Sequence, residues 1–275
     1  MSIQIAFNTS AYSYTPFGEA RPYPFDEACR RIARAGYDHV EIAGVRPHAH
    51  PGDNTPERFE RLGQALDETG LSAVHVCSHQ VVLGLNPASP DPSERAAAVE
   101  HVRGLAELCT ALEIPTFHLH PGWTIGGQRL TEAWDVAVET VDEALAGATL
   151  DGVRPQSEPL NWHDMDLVHT PEHAVRFVEA LDHDGGVLLD TVQMSMGGID
   201  MWDMVHDVGS DRLDVLHLAD TDRQPPGEGE IDFESLFAAL DDVGFDGVVS
   251  VELWGQQPDL LARRSLDAIE GYLGR

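Results

Sequence analysis

Short apolar runs rich in β-branched residues alternate along the chain with longer segments in which apolar residues recur every three to four positions. The short runs have the length and composition of strands, and the longer segments have the period of helices that bury one face. The runs predict eight strands, at residues 3–7, 39–42, 72–76, 116–119, 153–157, 187–189, 215–218 and 248–253. The fifth is the least regular, because Pro155 lies within it and a central strand rarely contains a proline.

Helix-capping residues mark the segments between these strands. Thr55, Asp91 and Thr170 each precede a proline, which places a capping side chain just before the first helical residue. Gly36 and Gly70 each lie between a helical segment and the next strand, where glycine commonly ends a helix. The chain is therefore predicted to be a series of strand-then-helix units.

Eight such units in 275 residues are typical of a parallel barrel that closes on itself. The alternative is a doubly wound open sheet, which usually has a glycine-rich first turn, and residues 8–12 contain no glycine. No linker or low-complexity tract divides the sequence. We therefore predict an α/β protein that consists of a single (βα)8 TIM barrel over residues 1–275.

The charge balance is strongly acidic and excludes several mechanisms. All 17 basic residues are arginine, against 47 acidic residues, so the formal net charge is −30 and the chain has no lysine. Without lysine, neither a Schiff-base mechanism nor a Walker phosphate-binding loop is available. The acidic balance also argues against a nucleic-acid partner, whose phosphates require basic residues. The charge either attracts a cationic partner or reflects adaptation to high salt, and we favour adaptation because the absence of lysine affects the whole chain.

Cysteine usage and hydropathy predict a cytoplasmic protein. The three cysteines, Cys29, Cys77 and Cys109, form no CxxC pair and are expected to be buried thiols in a reducing compartment. The first residues show no basic region followed by an apolar run, so no secretory signal is expected. No apolar run reaches the roughly 18 residues that a membrane span needs, so no membrane partner is expected.

Four side chains that can bind a metal follow or end the last four predicted strands, and they are 32, 27 and 35 residues apart. They are Glu158, Asp190, His217 and Glu252. Because active sites of (βα)8 barrels lie at the carboxyl ends of the strands, these groups should converge. Each alone is more typical of a helix cap, a turn or a core histidine, but three converging carboxylates would repel one another without a cation. The set predicts one divalent ion, with Mn²⁺ favoured and Mg²⁺, Co²⁺ or Zn²⁺ as alternatives.

The sequence around these four residues, together with residues 222–232 and 244–247, resembles the xylose-isomerase-like TIM-barrel superfamily. The resemblance is to its sugar isomerase/epimerase branch, of the ketose 3-epimerase and hydroxypyruvate isomerase type, and it is strongest over residues 158–254. It implies that the four positions bind one divalent ion, often Mn²⁺. It also implies that Glu158 and Glu252 exchange protons with the substrate, and that Arg223 contacts substrate oxygens.

This chemistry is also physically reasonable for these residues. Removal of a proton beside a carbonyl forms an enediolate, which a metal ion stabilises, and two carboxylates can exchange the proton on opposite faces of the carbon. We therefore predict that Glu158 and Glu252 are catalytic. The expected enzyme is a metal-dependent isomerase or epimerase whose partner is a small carbohydrate, a ketose or a related polyhydroxy carbonyl compound.

The chain departs from the ketose 3-epimerase pattern at Gln193, where those enzymes usually have histidine. Glutamine can hydrogen-bond a substrate hydroxyl but cannot titrate near neutrality. This departure leaves open a lyase of the same superfamily, such as an inosose or dehydroshikimate dehydratase or a C-glycoside-cleaving enzyme, and also a non-catalytic sugar-binding subunit. Gln193 and Arg223 stand where the three-zinc apurinic endonucleases of this fold need histidines, which argues against that branch.

Further substrate-binding candidates lie at the ends of the third and fourth strands. His75 and His79 flank the end of one, and His118 and His120 flank the end of the other, where strand alternation places them on one face. His120, His75 and the loop residue Trp123 are predicted to contact substrate, the alternative being a structural role. Glu41 is expected near the substrate without a ligand role. The last helix either covers the barrel or contacts a partner subunit in a homo-oligomer.

The salt-adaptation hypothesis predicts how activity depends on ionic strength. Raising salt from 0.1 M to 1 M shortens the Debye length from about 10 Å to about 3 Å, which screens the repulsion among surface carboxylates. Activity measured across that range should therefore be maintained or increase. An optimum at the lowest salt would contradict the hypothesis.

Overall fold

The eight apolar runs form eight parallel strands in the computed structural model, which describes residues 3–13 and 22–275. They are β1 (Gln4–Asn8), β2 (His39–Ala43), β3 (Ser72–Cys77), β4 (Thr116–Leu119), β5 (Arg154–Ser157), β6 (Gly186–Asp190), β7 (Leu213–Leu218) and β8 (Val248–Val251). Each strand pairs with the next, and β8 pairs with β1 to close the barrel. The predicted (βα)8 barrel is confirmed, and the predicted bounds differ from these by at most two residues. Residues 1–2 and 14–21 of the predicted 1–275 domain lie outside the described residues.

The described residues contain nine α-helices, which follow the strands in sequence. They are α1 (Phe25–Ala35), α2 (Pro56–Thr69), α3 (Pro92–Ala111), α4 (Leu130–Ala146), α5 (Pro171–Ala180), α6 (Thr191–Met196), α7 (Met201–Val208), α8 (Phe233–Asp242) and α9 (Pro258–Tyr272). The side chains of Thr55, Asp91 and Thr170 accept backbone hydrogen bonds at the starts of α2, α3 and α5, as predicted. None of the helices is long and apolar enough to cross a membrane.

The proline of β5 is accommodated by the register of the strand. Arg154 N donates to Pro115 O on the β4 side, so the nitrogen of the next residue, Pro155, faces β6. Pairing with β6 begins only at Gln156, which is opposite Gly186. The missing N–H of the proline therefore costs no ladder hydrogen bond.

Two apolar clusters build the core. The larger one fills the layer between the barrel and its helices. The smaller one consists of Ala6, Val74, Leu188, Val215 and Val248, which come from five different strands. Side chains from strands that are not neighbours can meet only inside the barrel, so this cluster plugs its interior. The polar side chains at the carboxyl ends of the strands lie above this plug.

A buried histidine outside the barrel makes stability sensitive to pH. The Nδ1 and Nε2 atoms of His48 lie 3.0 Å from Thr9 Oγ1 and 3.1 Å from Tyr23 O, and burial lowers the pKa of His48 from 6.5 to about 4. The unfolded chain therefore binds more protons than the folded chain between these values, so this stabilisation is present above pH 6.5 and is lost as the pH falls toward 4.

We expect His48→Gln to weaken the pH dependence of unfolding. Between pH 7 and pH 5, its free energy of unfolding should fall by roughly 2 kcal/mol less than that of the wild type. Urea unfolding at both pH values measures this difference, with the exposed His163→Gln as the matched control. Equal losses in the wild type and His48→Gln would contradict the assignment.

Candidate metal centre

The ends of the last four strands bring three carboxylates around one imidazole nitrogen. Glu158 and Glu252 directly follow β5 and β8, Asp190 ends β6, and His217 lies in β7. The Nδ1 atom of His217 is 3.7 Å from Glu158 Oε1, 3.9 Å from Asp190 Oδ2 and 3.6 Å from Glu252 Oε2. All four side chains are buried. The sequence spacing therefore correctly predicted that these four residues meet.

A fifth residue, Glu41 in the middle of β2, orients the imidazole. His217 Nε2 lies 2.9 Å from Glu41 Oε1, and the Glu41 side chain is fully buried. With Nε2–H donated to Glu41, the Nδ1 atom faces the three carboxylates, and it has no hydrogen-bond partner. A buried, unpartnered nitrogen among carboxylate oxygens fits a divalent cation, and the contact with Glu41 is typical of the carboxylates that orient metal-binding histidines.

Burial and the neighbouring charges shift the pKa values of these residues in opposite directions. Although burial opposes it, the carboxylates of Glu41 and Glu252 raise the pKa of His217 well above its ordinary value. Burial raises the pKa of Glu158 to about 7, whereas the charges of His217 and Arg223 outweigh burial and lower the pKa of Glu252 to about 2. Glu158 and Glu252 face the same imidazole, yet the pKa of Glu158 is raised and that of Glu252 is lowered.

Arg223 enters the cluster from the loop after β7. Its Nη1 atom is 2.7 Å from Asp190 Oδ2 and 2.9 Å from Glu252 Oε2, and its guanidinium carbon lies 4.9 Å from the centre of the Trp254 ring. Asp222 and Arg223 both adopt left-handed backbone conformations, with φ of 57° and 56°. Two consecutive non-glycine residues in that region are strained, so the surrounding loop must hold them.

Asp220 holds this loop. Its carboxylate accepts hydrogen bonds from the backbone nitrogens of Gly227, Gly229 and Ile231, at 2.8–3.0 Å. A Cβ atom at residue 229 would collide with that carboxylate, which explains the glycine there. The loop therefore folds back on Asp220 and directs Arg223 into the cluster.

His118 of β4 and His120, just after that strand, border Glu158, and His75 lies behind His118. Glu158 Oε2 is 3.4 Å from His118 Nε2 and 3.5 Å from His120 Nε2. His75 Nδ1 lies 2.7 Å from Thr116 Oγ1, and its Nε2 lies 2.9 Å from His118 Nδ1. Burial lowers the pKa of His75 to about 4 and that of His120 to about 3, so both rings favour the neutral form.

A cavity of about 600 Å³ opens above these residues. Its polar wall includes His118, His120, Glu158, Gln193, Arg223 and Glu252, and its apolar wall includes Val81, Val82, Leu160, Met196 and Trp254. A larger groove of about 980 Å³, lined by residues of α2, α3 and the loop after α4, contains none of the four predicted ligands. The smaller cavity is therefore the candidate substrate site.

The structure brings only some of the predicted substrate contacts to this cavity. Arg223, Gln193 and His120 line it, whereas His75 and Trp123 do not. His75 packs under His118, and the backbone of Trp123 is hydrogen-bonded to Asn86 in a loop beside the cavity. Both residues lie near strand ends in the sequence, but sequence position does not determine the direction of the His75 side chain or the path of the loop that contains Trp123.

Gln193 connects α6 to the loop after β5. Its Oε1 atom accepts hydrogen bonds from Asn161 N at 3.0 Å and from Asn161 Nδ2 at 2.6 Å. The side chain therefore lines the cavity in a fixed orientation.

Two residues of the site were not identified as such from the sequence. Cys77 was predicted only to be a buried thiol, yet it lines the cavity, and Trp254 was assigned no role. Cys77 is the last residue of β3, and active sites of (βα)8 barrels lie at the carboxyl ends of the strands. Its position could therefore have indicated that it belongs to the site.

Comparison with known proteins supports this description of the chain. The profile of the family described as "Xylose isomerase-like TIM barrel" matches residues 29–272. A D-psicose 3-epimerase from Ruminiclostridium cellulolyticum is 28% identical over 228 residues, which cover 81% of this chain and 75% of that protein. A D-psicose 3-epimerase from Enterocloster bolteae is 31% identical over 234 residues, which cover 81% of this chain and 74% of that protein.

A solved structure agrees in fold. The crystal structure of D-psicose 3-epimerase with D-tagatose from Clostridium cellulolyticum superimposes with a TM-score of 0.82 and 21% sequence identity, covering 99% of each chain. The sequence matches show distant homology to sugar 3-epimerases, and the barrel is the same. The chain therefore belongs to the xylose isomerase-like TIM barrel family.

Proposed function

We propose that this protein is a divalent-metal-dependent isomerase or epimerase that acts on a small ketose or related polyhydroxy carbonyl compound through an enediolate. The observation that carries the proposal is the convergence of three buried carboxylates on the unpartnered Nδ1 atom of His217. The relatives named D-psicose 3-epimerase support the reaction class. The cavity above the cluster provides room for a sugar.

Glu158, Asp190, His217 and Glu252 would hold the ion. Three oxygen ligands and one imidazole suit Mn²⁺ best, with Mg²⁺, Co²⁺ and Zn²⁺ as alternatives. A divalent ion bound there would supply Lewis-acid stabilisation of the negative charge that develops on the substrate oxygens. The positive charges of His217 and Arg223 balance these carboxylates in the ion-free protein.

Glu158 and Glu252 would carry the proton. They follow β5 and β8, which are three strands apart around the barrel, so their carboxylates enter the cavity from different sides. One carboxylate can take the proton from one face of the substrate carbon while the other returns a proton to the opposite face. Arg223, held between Asp190 and Glu252, is placed to donate hydrogen bonds to substrate oxygens.

The cavity favours a substrate without phosphate. Arg223 is the one arginine among the described residues that line it, and its guanidinium already pairs with two carboxylates. A phosphate group usually needs a cluster of basic side chains or a helix N-terminus directed at it. A free sugar or polyol fits this wall better than its phosphate ester.

A lyase of the same superfamily is the second candidate. It is favoured by His118 and His120, whose Nε2 atoms lie within 3.5 Å of Glu158 Oε2. A neutral imidazole beside the acid/base carboxylate is suited to assisting the departure of a leaving group at the next carbon. A product lighter than its substrate by one water would identify a dehydratase, and an isomer of equal mass would identify an epimerase or isomerase.

The proposal predicts that both glutamates are required for turnover. Glu158→Gln and Glu252→Gln should each lower kcat by at least about 100-fold, because each removes an acid/base group. The assay is a metal-supplemented screen of ketoses, inososes and keto-glycosides in deuterated water, in which mass spectrometry and NMR detect product and incorporated deuterium. Glu60→Gln, an exposed residue of α2, is the matched control. Near-normal turnover in either active-site variant, with the fold intact by circular dichroism, would refute its assignment.

Metal binding should release protons at pH 7. The pKa of His217 is raised well above its ordinary value and that of Glu158 to about 7, so a cation that binds these groups should displace at least about one proton. Its affinity should therefore fall as the pH is lowered from 7 to 5. Calorimetry of Mn²⁺ binding in buffers with different protonation enthalpies measures the number of protons, and Asp190→Asn should bind the ion more weakly. An enthalpy that does not depend on the buffer would contradict this prediction.

A further inference from the structure

A second group of ligand atoms lies beside the first, on the β3 side of the cavity. The Sγ atom of Cys77 is 3.9 Å from His79 Nε2 and 3.8 Å from Glu252 Oε1, and the three ligand atoms all lie within 4.8 Å of one another. We propose that Cys77, His79 and Glu252 form a second cation site, selective for a thiophilic divalent ion such as Zn²⁺ or Co²⁺. It shares Glu252 with the site proposed for Glu158, Asp190, His217 and Glu252, and its other two ligands are distinct.

The spacing of these atoms fits a single ion. Bond lengths of 2.3 Å to sulfur and about 2.0 Å to nitrogen in a tetrahedral zinc site place two such ligand atoms about 3.6 Å apart. The observed 3.8–3.9 Å between Sγ and its two neighbours is close to that value. Three protein ligands leave a fourth position open, as in zinc sites that also bind water or substrate. All three residues line the cavity, so an ion can reach them.

The backbone fixes the orientation of the imidazole ligand. His79 adopts a left-handed conformation, with φ of 53°, which is uncommon for a residue other than glycine. Its Nδ1 atom lies 3.2 Å from Cys77 O, and a hydrogen bond donated there leaves the Nε2 lone pair facing the thiol. Metal-binding histidines are oriented in the same way, with the other ring nitrogen donating to a carbonyl or carboxylate.

Glu252 divides its two oxygens between the two sites. Its Oε2 atom lies 3.6 Å from His217 Nδ1, whereas its Oε1 atom lies toward Cys77. A carboxylate placed in this way can bridge two cations. An ion bound at Cys77 would therefore engage the carboxylate oxygen of Glu252 that does not face His217, so Glu252 would exchange protons with substrate only while this second site is empty.

The chemistry of the thiol determines which ions should bind. The Sγ atom of Cys77 lies 3.8 Å from a carboxylate oxygen and 3.9 Å from an imidazole nitrogen, so an ion bound there would have one sulfur, one nitrogen and one oxygen ligand. Sulfur and imidazole ligands favour Zn²⁺ and Co²⁺ over Mg²⁺ and Mn²⁺. His118 Nε2 also lies 3.8 Å from Sγ, but it accepts a hydrogen bond from Ser78 N at 3.3 Å and is not needed as a ligand.

Co²⁺ titration tests this site without an activity assay. The wild-type protein should bind two equivalents, and the ion at Cys77 should produce the near-ultraviolet charge-transfer band of a cobalt–thiolate bond. Cys77→Ser should lose this band and one equivalent while keeping the other. Asp190→Asn should weaken the other equivalent while keeping the band. Cys109→Ser, which alters a buried thiol of α3, is the matched control and should behave as the wild type.

A second variant protects the test against misfolding of the first. His79→Gln changes a partly exposed side chain and should weaken cobalt binding at the thiol at least tenfold. A single equivalent without the band in the wild type would overturn the proposal. Retention of the band in Cys77→Ser, or unchanged binding in His79→Gln, would also overturn it. Because neither readout uses turnover, failure here would leave the proposed reaction of Glu158 and Glu252 standing.

Discussion

The mutual repulsion of three buried carboxylates is the constraint on which the site depends. Glu158, Asp190 and Glu252 all approach within 3.9 Å of His217 Nδ1, in a place with little water to screen them. The raised pKa of His217, the guanidinium of Arg223 and the raised pKa of Glu158 offset this charge. A divalent ion at this point would offset the repulsion among the three carboxylates with one strong positive charge, and the buried cluster is consistent with such an ion.

The barrel brings the side chains of the cluster together, and residues packed behind them fix the orientation of the His217 ring and of Arg223. Each strand-then-helix unit ends a strand at the same rim, so residues far apart in sequence meet above the apolar plug. Glu41 then turns the His217 ring, and the Asp220-bound loop directs Arg223. Because the chain has no lysine, carbonyl activation in this cavity cannot use a Schiff base. The buried carboxylate and imidazole cluster is the available alternative.

Much of this could be predicted from the sequence, because the fold and the convergence of the four predicted ligands depend on spacing. The strands, the caps at Thr55 and Thr170, and the meeting of Glu158 with His217 follow from the period of the repeats. Contacts that depend on side-chain direction could not be predicted. The bond between Glu41 and His217 joins residues 176 positions apart, and His75 supports His118 instead of lining the cavity. The choice of Mn²⁺ and the salt-adapted surface stay predictions, because neither spacing nor geometry determines them.

The most direct test is anomalous diffraction from crystals soaked with Mn²⁺. The account predicts a peak at about 2.0–2.4 Å from His217 Nδ1 and from one oxygen each of Glu158, Asp190 and Glu252. The Nε2 atom of His217 should stay bonded to Glu41, and Arg223 should move away from Asp190. A crystal that shows no peak within bonding distance of His217, with the three carboxylates still paired to Arg223 and the histidines, would contradict the account.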